Sequence, residues 1–110
     1  NEHYKDININ PKGTSLSKVK AARKKLSATW KKQSKQTSGY QLQYSTNKKF
    51  AKSVKTTTIT KTSTVKKTVK KLSAKKTYYV RVRTYKNVKV GKKTVKMYSG
   101  WSKVKSVKVK

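Results

Sequence analysis

The chain has 110 residues and carries 29 lysines and three arginines against only two acids, for a formal net charge of +30. Both acids, Glu2 and Asp6, fall in the first ten residues, beside the single histidine, His3, and there is no cysteine. General acid–base catalysis, metal-assisted hydrolysis and glycoside hydrolysis need carboxylates or clustered His and Cys, so the composition speaks against an enzyme, a bound metal or a cofactor.

The length fits one domain. A hydrophobic content of 32% with this much charge is the composition of a disordered chain, but two features oppose that reading: seven Tyr and two Trp are present, and the apolar residues recur with a regular period. Without cysteine there are no disulfides or zinc fingers, and the compartment is left open. No apolar run approaches the ~18 residues of a membrane helix, so membrane insertion is not expected, and no leader peptide is recognisable.

Pro11 and Gly13 interrupt structure, so residues 1–13 read as a lead-in and 14–110 as the folded domain. Beyond them, Val, Thr, Tyr and Ile are frequent and alternation of period two dominates, which predicts an all-β chain. Residues 16–21 form a first short strand. Leu26, Ala28 and Trp30 share one face of the next. Residues 31–38 are polar and end in a turn at Ser38-Gly39. Tyr40, Leu42 and Tyr44 then face inward, with Gln41 and Gln43 outward. Phe50 closes the following loop, and the Thr-rich residues 54–60 suit a sheet edge.

Residues 65–69 lead to Leu72 and a turn at 73–76. The strongest strand follows, with Tyr78, Val80 and Val82 on one face and Tyr79, Arg81, Arg83 and Tyr85 on the other. Gly91 separates 87–90 from 94–97, which predicts a long hairpin. Val104, Val107 and Val109 belong to the last strand, where the step of three between Val104 and Val107 predicts a bulge or a local irregularity. Lys67 falls on an inward phase and either snorkels outward or marks an irregular strand. The sum is about seven strands in a two-sheet, immunoglobulin-like sandwich.

Three segments carry a resemblance to the fibronectin type III family: Leu26-Ser-Ala-Thr-Trp30, Gly39-Tyr-Gln-Leu-Gln-Tyr44, and Leu72-Ser-Ala-Lys-Lys-Thr-Tyr78-Tyr-Val80-Arg-Val82. The resemblance implies a core built on Trp30, Tyr40, Leu72 and Tyr78, with Leu72 and Tyr78 forming the corner that locks the fifth and sixth strands. The Lys and Thr richness and the ending Tyr98-Ser-Gly-Trp101-Ser102 are similar to modules of secreted Gram-positive surface proteins. A non-catalytic spacer or attachment module, secreted or cell-surface or cell-wall associated, is what that likeness implies, and a monomer is expected.

Arg81 and Arg83 alternate on the outer face of one strand and Trp101 is placed at the start of the neighbouring strand, a pattern that predicts a cation–π surface clamp. It resembles half of the Trp-Ser-x-Trp-Ser ladder of cytokine-receptor type III domains, and with one Trp the ladder is expected to be short. The lysines form three groups: Lys31, Lys32 and Lys35; Lys86, Lys89, Lys92, Lys93 and Lys96; and Lys103, Lys105, Lys108 and Lys110 on the last strand. A single-sign surface of this magnitude attracts polyanions, such as cell-wall teichoic acid or a sulfated glycan. The alternative is a spacer presenting a neighbouring domain, its charge incidental. Specific nucleic-acid readout is not expected, since base recognition favours Arg and Asn on a helix or ribbon. Tyr79 and Tyr85 are candidates for stacking single strands, though they fit a packed sheet face as well. Glu2, His3 and Asp6 lack a fourth ligand and make no metal cage.

Overall fold

The computed structural model describes residues 11–110 and has eight strands: β1 (Leu16–Ala22), β2 (Lys25–Trp30), β3 (Gly39–Ser45), β4 (Lys55–Ile59), β5 (Lys66–Val69), β6 (Thr77–Val90), β7 (Lys93–Tyr98) and β8 (Lys105–Lys108). One sheet has the order β1-β2-β5 and the other β4-β3-β6-β7, with β8 also pairing β6. Every pairing is antiparallel, and the described residues contain no helix. The chain is an all-β sandwich of two sheets.

The period-two alternation is what fills the core. Leu26, Ala28 and Trp30 from one sheet meet Tyr40, Leu42, Tyr78, Val80 and Val82 from the other, all buried. Each large apolar side chain removed from water contributes roughly 1.5–3 kcal/mol. Val69, Leu72 and Val109 join the cluster, with Tyr44 and Val107 packed against it. Leu16 and Ile59 also belong to it; neither sits in a clean alternating run. The Trp30 and Tyr40 rings lie 5.5 Å apart, tilted by 58°. The Tyr40 hydroxyl accepts from Gln33 N–H at 2.9 Å and donates to the Thr62 carbonyl at 2.7 Å, tying two loops to the core.

At the turn into β6, Ser73 N–H donates to the Tyr78 hydroxyl at 2.9 Å, while Leu72 buries its side chain in the core cluster. This is the tyrosine-corner geometry of sandwich folds. Lys67 is exposed although β5 keeps a regular register with β2, so it leans out of the sheet edge.

Two expectations are corrected. Tyr85 has the outward phase of β6 yet is only 2% exposed. Its cross-strand neighbour is Gly39, where an added Cβ would lie 2.9 Å from the Tyr85 ring and 2.1 Å from the Ile59 carbonyl oxygen. The missing side chain leaves the space that the Tyr85 ring fills, and the Lys96 ammonium sits 5.1 Å from the ring centroid. Tyr85 is therefore unavailable for stacking a nucleobase, whereas Tyr79 is half-buried.

The strand count is eight rather than seven because the last edge strand is cut in two. β6 continues past the end of its pairing with β3 at Tyr85 to Val90, turns at Gly91 (φ 64°) and Lys92, and returns as β7. Residues 99–104 then leave the regular ladder before β8 resumes it. The break lies upstream of β8, whose register with β6 is unbroken; Val104 is 44% exposed in the interruption, and Val109 follows the strand in the core. Of the expected lead-in, residues 1–10, with Glu2, His3 and Asp6, lie outside the described residues. The Lys12 carbonyl accepts a 2.7 Å hydrogen bond from the buried Thr84 hydroxyl.

Candidate functional site

The outer face of the five-stranded sheet carries an arginine–aromatic ladder. β6 places Arg81 and Arg83 two residues apart, hence on one face and about 7 Å apart along the strand. Arg83 lies between two rings, 3.7 Å from the centroid of Tyr98 and 4.3 Å from that of Trp101. Arg81 lies between Trp101 at 4.3 Å and Phe50 at 4.1 Å. The order is Tyr98, Arg83, Trp101, Arg81, Phe50. Each contact of this kind contributes about 0.5–2 kcal/mol, more as the pair is desolvated.

Three segments build the ladder. The first is β3, whose outward glutamines hold the guanidinium groups: Arg81 Nε donates to Gln43 Oε1 at 2.9 Å, and Arg83 Nε and Nη2 donate to Gln41 Oε1 at 3.0 and 2.8 Å. Behind them, Gln43 Nε2 donates to Thr56 Oγ1 at 3.1 Å and Gln41 Nε2 to Thr58 Oγ1 at 3.4 Å. The Thr-rich edge strand thus orients the glutamines that orient the arginines.

The second segment is residues 99–102, which replace the missing ladder of β6 with hydroxyl groups. Ser99 N–H donates to the Thr84 carbonyl at 3.0 Å, and Ser99 Oγ accepts from Thr84 N–H at 2.9 Å. Ser102 repeats this with Val82, at 2.8 and 3.0 Å. Three steps of chain here span two steps of β6, and the slack carries Trp101 over the sheet face between the two arginines. Trp101 therefore lies in the connection before β8, not at the start of that strand.

The third segment is the 45–53 loop. Buried Ser45 donates to the Lys52 carbonyl at 2.8 Å, and Asn47 Oδ1 accepts from the N–H groups of Lys49 and Ala51 at 2.9 and 3.2 Å. Phe50 has a φ of 55°, a genuine outlier for a bulky residue. The loop holds Phe50 in that conformation, with its ring under Arg81 instead of in the core.

Burial lowers the pKa of Arg81. Burial also lowers that of Arg83, helped by the charge of Arg81 and opposed by Tyr98. Both remain cations at neutral pH, because a guanidinium starts far above it.

The lysines are placed less compactly. Lys31, Lys32 and Lys35 are exposed in the β2–β3 connection, and Lys103 and Lys105 are exposed around the start of β8. In the β6–β7 hairpin, Asn87 pairs with Lys96 and Lys89 with Thr94, which puts Lys89 and Lys96 on the face of Tyr85 and Tyr98; Lys86 and Lys93 point to the opposite face, and Lys92 stands in the turn. The hairpin lysines are thus split between two faces. A cleft of about 310 Å³ between the open sheet edges is rimmed by Lys55, Lys70, Lys71 and Lys76 above Tyr44, Leu72 and Tyr78. No group of His, Cys, Asp or Glu among the described residues could hold a metal.

The fibronectin type III domain family matches residues 10–99. The chain belongs to the fibronectin type III family. Among solved structures, the FN1–FN3 domains of chicken CNTN1 match with a TM-score of 0.67 at 18% identity, over 89% of this chain and 30% of that one. A structure described as a myokine matches with a TM-score of 0.57 at 16% identity, over 91% of this chain and 95% of that one. At these identities the likeness is one of fold. No curated protein matches the chain. Type III domains are generally non-catalytic and are common in extracellular and surface proteins. No helix among the described residues is long and apolar enough to cross a membrane.

Within this type III frame, sequence reasoning missed four ladder participants. Gln41 and Gln43 were readable as an outward Gln-x-Gln on a strand facing Arg-x-Arg, and Tyr98 stands three residues before Trp101, the spacing of Ser99 and Ser102. Phe50 left no signal, because only the loop fold brings it to Arg81. The ladder is longer than one Trp implied, since tyrosine and phenylalanine occupy its end rungs.

Proposed function

We propose that this type III domain is a non-catalytic attachment module of a secreted or cell-surface protein, and that it holds polyanions such as wall teichoic acid or a sulfated glycan. The observation that carries this reading is the sign of the surface. Residues 11–110 contain no Asp or Glu, so no lysine or arginine there has an acidic side chain within that span to pair with. Exposed lysines stand on both faces of the β6–β7 hairpin, in the β2–β3 connection and around β8. Such a surface repels itself and concentrates polyanions, whose binding releases condensed counterions. Its partners are an anionic polymer and the neighbouring domains of a larger chain.

The test is retention on immobilised heparin and on wall teichoic acid across a salt series. Retention should fall steeply with salt, and replacing Lys89, Lys92, Lys93 and Lys96 with Gln should flatten the salt dependence without unfolding the domain. Added salt should also raise the melting temperature, because it screens repulsion over about 8 Å at physiological ionic strength. No retention on either column at low salt, with melting flat in salt, overturns the proposal and leaves a spacer.

A further inference from the structure

The arginine–aromatic ladder has donors that the protein does not use. A guanidinium presents five N–H donors in a planar fork. Arg81 commits only Nε, to Gln43, and Arg83 commits Nε and Nη2, to Gln41. The terminal nitrogens of Arg81, and Nη1 of Arg83, have no hydrogen-bond partner among the described residues. A carboxylate commonly pairs with such a fork, and residues 11–110 have none. The forks are also rigid. Each is stacked between two aromatic rings and pinned by a glutamine, so little side-chain entropy remains to be lost when an anion arrives.

The spacing is defined as well. Both guanidinium carbons lie 4.3 Å from the same Trp101 ring centroid, so they are no more than twice that distance apart. A third cation, Lys96, shares the face: it stands over Tyr85, which pairs with Tyr98 across the β6–β7 ladder.

We propose that the Tyr98–Arg83–Trp101–Arg81–Phe50 ladder is a two-pronged receptor for consecutive tetrahedral oxyanion esters, sulfate or phosphate, along a flexible polymer. This rests on the polyanion reading and adds a defined site to it. Arg81 and Arg83 each take one ester group through free N–H donors, and the surrounding lysines supply the long-range attraction. Arginine is suited to the task because its fork matches the oxygens of such groups bidentately, whereas lysine acts as a point charge.

The experiment uses two probes, a glycerol-phosphate oligomer and a heparin-derived sulfated oligosaccharide, each titrated at physiological salt. The side-chain Nε–H resonances of Arg81 and Arg83 should shift with at least one probe, and that probe identifies the ester. Arg23, away from the ladder in the turn between β1 and β2, is the internal reference and should move less. The double variant Arg81→Lys, Arg83→Lys keeps the net charge, so it should lose about tenfold or more in affinity while the salt dependence stays near wild type. A thermal melt of the variant verifies that it folds. Polyanion binding that leaves both Nε–H signals unmoved, or a folded double variant that binds as wild type, overturns the ladder site and spares the general polyanion reading. Failure of the wild-type domain to bind either probe at physiological salt overturns the ladder site, and failure at low salt as well, with melting flat in salt, overturns both.

Discussion

Replacing Ser102 with alanine tests the claim that hydroxyl groups stand in for the missing part of the last strand. Ser102 Oγ is the acceptor for Val82 N–H at 3.0 Å. Val82 is 0% exposed and sits in the middle of β6, where water has poor access to its amide. Removing the acceptor strands that donor, which costs about 1–3 kcal/mol. Domains of this size have a total stability of roughly 5–15 kcal/mol, so the loss is a substantial fraction. At ~4–8 °C per kcal/mol, the melting temperature should drop by about 4–24 °C. The assay is urea unfolding followed by tryptophan fluorescence, with hydrogen exchange of the Val82 amide read in parallel. Ser102→Ala should expose that amide to faster exchange, and Ser102→Thr, which keeps a hydroxyl, should stay closer to wild type. The substitution should also loosen Trp101, the neighbouring residue, and with it the stacking on Arg81 and Arg83. A Ser102→Ala variant within ~0.5 kcal/mol of wild type, with Val82 exchange unchanged, would refute the argument, because that is the range of an ordinary surface substitution.

Two further outcomes follow from the packing. Gly39→Ala should destabilise the domain by about 1–3 kcal/mol in a denaturant melt, since the new methyl meets a strand carbonyl and the Tyr85 ring, neither of which is a flexible side-chain end. A wild-type midpoint would mean that β3 and β4 can part without cost. Burial, followed by a tyrosine neighbour, raises the pKa of Tyr44 (beside Tyr78) and of Tyr85 (beside Tyr98) above 10.0. A raised folded-state value means that the folded chain holds its proton longer, so this contribution to stability is complete below pH 10 and is lost as pH rises through the folded value. Absorbance titration of the phenols should show a late-ionising fraction that shrinks in Tyr44→Phe; simultaneous ionisation of all the tyrosines would contradict it.

How much of the ladder was legible depends on which part is considered. Arg81, Arg83 and Trp101 stand out in the sequence because only three arginines exist and two of them alternate on one strand. Their holders do not stand out. The glutamines reach the arginines only because β3 and β6 pair in a register that sets Gln41 opposite Arg83 and Gln43 opposite Arg81. A shift of one residue would have turned the glutamines to the other face. The same dependence on register explains the lysine-rich hairpin, which reads as one cluster along the chain but is divided between two faces by the pleat.

Alternation in 26–30, 40–44 and 78–82 was sufficient to establish strands with one buried face, since side-chain direction in a strand depends only on parity along the chain. The spacing of Leu72 and Tyr78 marked the corner through its likeness to the type III family, and the count of charges settled the sign of the surface. These are properties of single segments or of the whole composition, so no partner strand is needed to read them. Tertiary structure alone decided that Tyr85 is buried, that Phe50 stacks on Arg81, and that two serine hydroxyls bridge the break in the last strand. Each depends on what lies across from a residue: an absent Cβ at Gly39, a guanidinium at Arg81, an unpaired amide on Val82 or Thr84. Those neighbours are set by register and loop closure between segments far apart in the chain, which local periodicity does not encode.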